Sequence, residues 1–196
     1  MKKTVYFRSF EEDDASLIYK WMNDDELKSL STGLNRRMCK DEALDWVKAR
    51  MRHNPYQCWW AICAVDTDKL IGYMSLTDIH YINSSANFSG IVIGDKDYND
   101  GFAWIESYLF LYEYAFERLN LNRVYGDHIV GHRQTETIGK VFFMKTDGIL
   151  RQAVFKNGQY HDVCVCSLLK EEYKVHKEMG DYDIFSIIKR IRKSIN

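Results

Sequence analysis

The sequence has no internal repeat and no low-complexity segment, and it holds one proline, Pro55. A solenoid or linker-joined array is therefore excluded, and the proline marks a single turn at His53–Gln57. Nor does any apolar stretch approach the length that spans a bilayer. The opening MKKTVYF leads into charged sequence and not into the apolar core of a secretion signal, so an intracellular, cytoplasmic protein is expected. Charge of one sign is missing too. With 27 Lys+Arg against 28 Asp+Glu the formal net charge is −1, which gives no electrostatic case for nucleic acid as a partner. The five cysteines, Cys39, Cys58, Cys63, Cys164 and Cys166, form no CxxC pair, and the histidines and cysteines form no zinc pattern. Reduced thiols and no metal site are the expectation.

What is present is apolar and aromatic material, 46% and 14% of 196 residues, enough for one domain with a substantial core. Periodicity predicts strands at Thr4–Phe10, Cys58–Val65, Leu70–Ile79, Phe88–Ile93, Arg123–Ile129, Gly148–Phe155 and His161–Leu169, the last two around the Asn157–Gly158 turn. Helices are predicted after the acids Glu11–Asp14, after Asp41 as cap, from Gly101 onward, and over Gln134–Phe142. Asn23–Asp25 reads as a break and Ser29–Arg37 as a loop. This order is a mixed α+β sheet and not a Rossmann alternation.

The stretch from Gly90 organises the rest. Ile91, Val92 and Ile93 form a strand end broken by Gly94; a polar loop follows, and Gly101 leads into a helix. Apolar residues from Trp104 to Leu119 cover more than half of that helix's circumference, so it is buried on most sides. A strand, a glycine loop and a helix N-terminus can bind an anion, because the first helical N–H groups lack partners and the dipole adds to them. The same step also serves merely to turn the chain in many α/β proteins.

Several separated segments together resemble one family. FRSFEEDDASLIYKWMNDDE, KLIGYMSLTDI, YAFERLNLNRV and DGILRQAVFKNGQYHDVCVCSLLKEEY are similar, in order, to the GNAT superfamily of acyl-CoA-dependent N-acyltransferases. The nearest branch holds ribosomal-protein N-terminal, spermidine and amino-sugar-nucleotide acetyltransferases. The match runs over about residues 4 to 173, which gives an acyltransferase-like domain at 1–173 and a helical extension at 174–196. The resemblance implies a mostly antiparallel central sheet flanked by helices, acetyl-CoA as acyl donor and an amine as acceptor. It implies that Ile91, Val92 and Ile93 line the pantetheine arm and that Asn99, Asp100, Gly101, Phe102, Ala103 and Trp104 surround the pyrophosphate. His132 stands where the family has an asparagine that contacts the arm.

The chain departs from the family pattern at three places. The loop Asp97-Tyr98-Asn99-Asp100-Gly101-Phe102-Ala103 has no basic residue after Lys96, its aspartates repel a pyrophosphate, and it is one residue longer than usual. Gln134 to Lys145 contains no tyrosine to protonate the leaving thiolate. Phe143-Met144 replaces the usual glycine-phenylalanine. Direct attack of an amine on a thioester needs a proton acceptor and oxyanion donors. Strand amides near Val92 can supply the donors. Asp78, His80 and His128 are the candidate bases, histidine being suited by its pKa near 6.5; satisfying local hydrogen bonds is the other role open to each. Tyr98 and Tyr125 are candidate acids. His161-Asp162 belongs to the family's closing hairpin and reads as structural. Trp21, Trp59 and Trp60 read as core and cleft wall. Asp24, Asp25 and Glu26 either attract a cationic amine or form a solvated helix end.

Two functions fit: an N-acetyltransferase acting on a small amine or a protein N-terminus, and a binding or regulatory module that keeps the fold with little transfer. The tail Asp183–Ile195 predicts a helix with Ile184, Ile187, Ile188, Ile191 and Ile195 on one side. That stripe needs a protein surface, in its own domain or in the second subunit of a homodimer, with a membrane surface as the competitor.

Overall fold

The computed structural model describes residues 3–29, 32–33, 36–99 and 101–195. The chain runs β1 (Val5–Arg8), α1 (Ala15–Met22), α2 (Asp25–Ser29), α3 (Lys40–Met51), β2 (Cys58–Ala64), β3 (Leu70–His80), β4 (Ser85–Ile93) and α4 (Phe102–Glu113). It continues with β5 (Arg123–Ile129), α5 (Arg133–Val141), β6 (Lys145–Lys156), β7 (Gln159–Leu169), α6 (Lys170–Glu178) and α7 (Ile184–Ile195). The sheet order is β1-β2-β3-β4-β5-β7-β6. β4 pairs with β5 in parallel, while β1–β2, β2–β3, β5–β7 and β6–β7 are antiparallel. The expected α+β class with a mostly antiparallel sheet is the fold. Two compact units divide it, Met1–Ile79 with Ser89–Leu111, and His80–Phe88 with Tyr112–Asn196.

In the first unit the period-2 alternation of β2 sends Ala61 and Cys63 to one face, where they pack with Ile18, Trp21, Val47 and Leu70. The neighbouring Trp60 goes to the other face and meets Phe110 of α4, at 5.4 Å between ring centroids, as does Phe7 at 4.3 Å. Trp59 and Trp46 hold the Arg50 guanidinium between them, 4.3 and 3.6 Å from the ring centroids. Burial there pulls the Arg50 pKa down to about 10. The acids before α1 are not merely dipole partners. Asp14 is buried and takes both guanidinium nitrogens of Arg8 at 2.8 Å and the Glu11 amide at 2.9 Å.

Three local readings are corrected. Cys39, not Asp41, caps α3: its Sγ accepts from the Glu42 amide at 3.4 Å while Glu42 returns to the Cys39 amide at 2.9 Å. The helix starts two residues earlier than an Asp41 cap implies, which places Asp41 in its first turn. The break at Asn23–Asp25 opens into helix α2, capped by Asp24 accepting from the Glu26 and Leu27 amides at 2.9 and 3.2 Å. Of the loop expected at 29–37, residues 30, 31, 34 and 35 lie outside the described residues. The central helix changes to a π turn at Tyr114–Arg118.

In the second unit Tyr112, Phe116, Phe142, Leu168 and Ile187 are fully buried. Ile187 belongs to α7 and packs within this unit, where Ile184, Ile188 and Ile191 of the expected stripe are half-buried. Arg190 of the same helix donates to the carbonyls of Val141 and Asp181, at 3.2 and 2.5 Å. The β6 strand begins at Lys145, before the expected Gly148, and bulges at Gln152 (φ 51°), whose amide donates to Asp162 at 2.8 Å. Among the described residues no helix is long and apolar enough to cross a membrane.

Candidate active site

The strand–loop–helix step lies in the first unit. Ladder pairing of β4 with β5 covers only Ser85–Asn87 against Arg123–Tyr125, so residues 89–93 make no ladder with β5. Gly72 allows β3 and the end of β4 to approach, since a Cβ there would run into the Val92 carbonyl oxygen. The chain then leaves the strand under tight control. Gly94 and Asp95 both donate to the Ile71 carbonyl, at 2.9 and 3.1 Å, and the Trp21 indole occupies the space a Cβ on Gly94 would need. Ile91 is buried; Val92 and Ile93 are half-buried.

The loop that follows is folded by its own side chains. Asp95 accepts from the Asp97 amide at 3.1 Å and starts a 3-10 turn, Lys96–Tyr98. Tyr98 donates its hydroxyl to Asp66 at 3.1 Å and meets the Thr67 hydroxyl at 2.8 Å, which ties the loop to the β2–β3 turn. Asn99 is exposed, and Asp100 lies outside the described residues. Gly101, at φ 90°, accepts from the Ile105 amide at 3.0 Å, so it sits at the cap position of α4. A Cβ there would meet nothing within 4 Å. The amide groups of a helix's first turn have no acceptor inside the helix. Ala103 is buried, and the Trp104 ring lies against Tyr108 at 4.9 Å.

Lys96 donates to Glu26 of α2 at 2.6 Å. Glu26, and then Asp24, hold its ammonium above the ordinary lysine range. Asp25 pairs with Arg37 at 2.8 Å. The three acids of α2 and its cap thus have assigned partners, a pattern that neither sequence reading of them contained. Asp78 is exposed and adopts φ 49° inside β3; the adjacent Thr77 hydroxyl meets Ser89 at 2.5 Å.

The remaining candidates lie in the second unit. His80 is exposed, and its Nδ1 accepts from the Asn83 amide at 3.0 Å, a turn-capping bond. His128 on β5 is half-buried, and burial pushes its pKa below the ordinary histidine value, which keeps the ring neutral. His132 caps α5: Nδ1 accepts from the Thr135 amide at 3.3 Å and from its hydroxyl at 2.8 Å. A neutral ring with that acceptor carries its proton on Nε2. Phe143, at φ 62°, sits where a glycine would be relaxed. Its ring stacks on His176 at 3.5 Å and under the Arg190 guanidinium at 4.6 Å. Among the described residues no group of three or more His, Cys, Asp or Glu side chains could hold a metal.

The structure therefore gathers Ile91–Ile93, Asn99, Gly101–Trp104 and Asp78 in one unit and His80, His128 and His132 in the other. The Lys96–Glu26 pair and the Phe143–His176–Arg190 stack had no sequence signal beyond the departures noted at those positions.

Comparison with known proteins bears on the family and the fold. The model of the acetyltransferase (GNAT) domain matches residues 4–140. A Bacillus subtilis protein, YdaF, named as a ribosomal N-acetyltransferase, is 36% identical over 67 residues, covering 34% of this chain and 37% of that one. A spermidine N(1)-acetyltransferase of Vibrio cholerae is 32% identical over 104 residues, 53% of this chain and 59% of that one. The matches thus span about a third to three-fifths of these curated relatives. The crystal structure of spermidine N-acetyltransferase from Vibrio cholerae in complex with CoA and spermine superposes with a TM-score of 0.78 at 24% identity, covering 87% of this chain and 98% of that one. With the domain model spanning most of the chain and the fold reproduced throughout, this protein belongs to the GNAT acetyltransferase family.

Proposed function

We propose that this chain transfers an acetyl group from acetyl-CoA to a primary amine, carried by a small molecule such as a polyamine or amino sugar or by a protein N-terminus. The observation that carries the reading is Gly101: a glycine at positive φ caps α4, with open space where a Cβ would stand and the N-terminal turn of the helix behind it. That cradle fits a diphosphate, and the end of β4 at Ile91–Ile93 fits an extended arm. Acetyl-CoA supplies an activated thioester when bound. The chain's part is to hold it, to offer backbone N–H groups near Val92 to the developing oxyanion, and to take a proton from the amine.

Of the three candidate bases, Asp78 is exposed and lies in the unit that holds Gly101, while His80 accepts with Nδ1 from the Asn83 amide and burial favours the neutral imidazole of His128. The polyamine class is supported by the Vibrio cholerae relative and by the acids of α2. A homodimer fits the exposed Ile149, Leu150, Phe155 and Tyr160 of the β6–β7 hairpin. The five free thiols suit the cytoplasm. Release of free CoA from acetyl-CoA, measured against a panel of spermidine, amino sugars and peptides, tests the reading. Turnover with one amine class supports it; CoA binding without turnover of any acceptor leaves the regulatory-module function instead.

A further inference from the structure

We infer that a cleft in the second unit, walled by the end of α5, the start of β6 and α6, binds a small aromatic carboxylate. Its volume is about 620 Å³, a size at which small molecules are held, and every residue that lines it belongs to this unit. Phe143, Met144 and Val175 give it an apolar wall. The cleft is separate from the acetyl-transfer reading: Lys140, at its edge, stands about 12 Å along α5 from His132. Phe143-Met144 is also where the chain departs from the family's glycine-phenylalanine, a departure that acetyl transfer does not use.

The wall carries backbone strain. Phe143 holds φ 62°, a left-handed conformation that a bulky residue adopts only when its surroundings impose it. Its ring lies flat on His176 at 3.5 Å, with the Arg190 guanidinium 4.6 Å away. His176 is fixed in turn by Asp181, 2.8 Å from Nδ1, and Asp181 also takes Arg190 at 3.3 Å. A wall held in this way is preorganised for a flat apolar body, and the Met144 thioether is a soft contact for an aromatic ring.

Lys140 supplies the charge. Both carboxylates that line the cleft are engaged, Glu172 with Lys145 at 2.5 Å and Glu171 with Lys174 at 2.7 Å. Glu136, the ordinary i, i+4 partner of Lys140, accepts from the Gly131 amide at 2.8 Å. Lys140 is exposed and has no partner among the described residues. One free ammonium near two carboxylates selects a monoanion, because Glu171 and Glu172 repel a phosphate dianion more strongly.

The test is calorimetric titration of naphthaleneacetate into the whole chain, beside naphthaleneacetamide, which has the ring without the charge, and acetate, which has the charge without the ring. Neither CoA nor an amine enters it, so its outcome is independent of acetyl transfer. The acid should bind up to about fivefold more tightly than the amide, the range of an exposed ion pair, and acetate should give no heat. Backbone signals of residues 140–145 and 171–176 should shift in a proton–nitrogen correlation spectrum. Lys140→Met should bring the acid to the affinity of the amide and leave the amide unchanged. Lys140→Glu should weaken the acid further while the amide still binds, which separates loss of the charge from loss of the fold. Phe143→Gly, which suits the backbone, should weaken acid and amide alike by about tenfold. No binding of the acid by the parent at millimolar concentration, equal affinity for acid and amide, acid binding unchanged in Lys140→Met, or shifts confined to other residues would each overturn the site.

Discussion

Glu106, one turn into α4, anchors the start of the chain, and its replacement by alanine should destabilise the first unit measurably. Its carboxylate accepts from the Thr4 amide at 3.0 and 3.1 Å, from the Thr4 hydroxyl at 3.1 Å and from the Val5 amide at 3.1 Å. Thr4 is exposed, so water replaces Glu106 there at a cost of about 0.5–1 kcal/mol. Val5 is almost fully buried at 1% exposure, and its amide would lose a charged acceptor with little access to water, which costs about 1–3 kcal/mol. Glu106→Ala should therefore cost about 1.5–4 kcal/mol, or about 3–16 °C in melting temperature for a chain of this size. Glu106→Gln keeps one acceptor oxygen and should cost less than half of that. Thermal and urea melts followed by circular dichroism read both. A change within about 0.5 kcal/mol for alanine, or a glutamine variant as unstable as alanine, would refute the assignment of Glu106 as the anchor of β1.

At Gly101 the backbone sets the penalty, since a Cβ meets no protein atom: Gly101→Ala should lose about 1–2 kcal/mol of stability, and Gly101→Val should also lose CoA affinity by crowding the diphosphate. Unchanged CoA titrations in the valine variant would misplace the donor. His128, with its folded pKa pushed below 6.5 by burial, binds fewer protons folded than unfolded, so its contribution to stability is intact above pH 6.5 and is lost as pH falls through the folded value. His128→Gln should flatten stability in that window, and pH-dependent melts unchanged from the parent's would refute the burial argument. Phe143 loses its ring contacts in both Phe143→Ala and Phe143→Gly, but only glycine relaxes φ 62°, so the glycine variant should melt later by about 1 kcal/mol. Equal melts would show that the backbone there is unstrained.

The sheet and central helix were legible because their signals are local. Alternation in β2 and the broad apolar face from Trp104 onward both follow from geometry repeated every few residues. The strand–glycine–helix step was legible for the same reason, since Gly101 at positive φ leads directly into α4. The cap of α3 was missed because Cys39 is an unusual capping residue, and Asp41 looked better two positions later. The π turn at Tyr114–Arg118 leaves no composition mark. Side-chain pairings across the chain were out of reach altogether: Thr4 to Glu106 and Glu26 to Lys96 join positions 102 and 70 residues apart, and nothing near either end names its partner.

The departures of the cofactor loop weigh differently once its geometry is known. Asp95 is turned to its own backbone, where it accepts from the Asp97 amide and shapes the turn. Asp97 is exposed, where water and salt reduce its repulsion of a diphosphate to about 1 kcal/mol or less. Against it stands the N-terminal end of α4, where an anion contact is worth about 0.3–1 kcal/mol. These opposing terms nearly cancel. Lys96, the one basic residue in the sequence between Gly94 and Trp104, is hydrogen-bonded to Glu26 of α2 at 2.6 Å, so an anion at this loop would meet a cation that is already engaged.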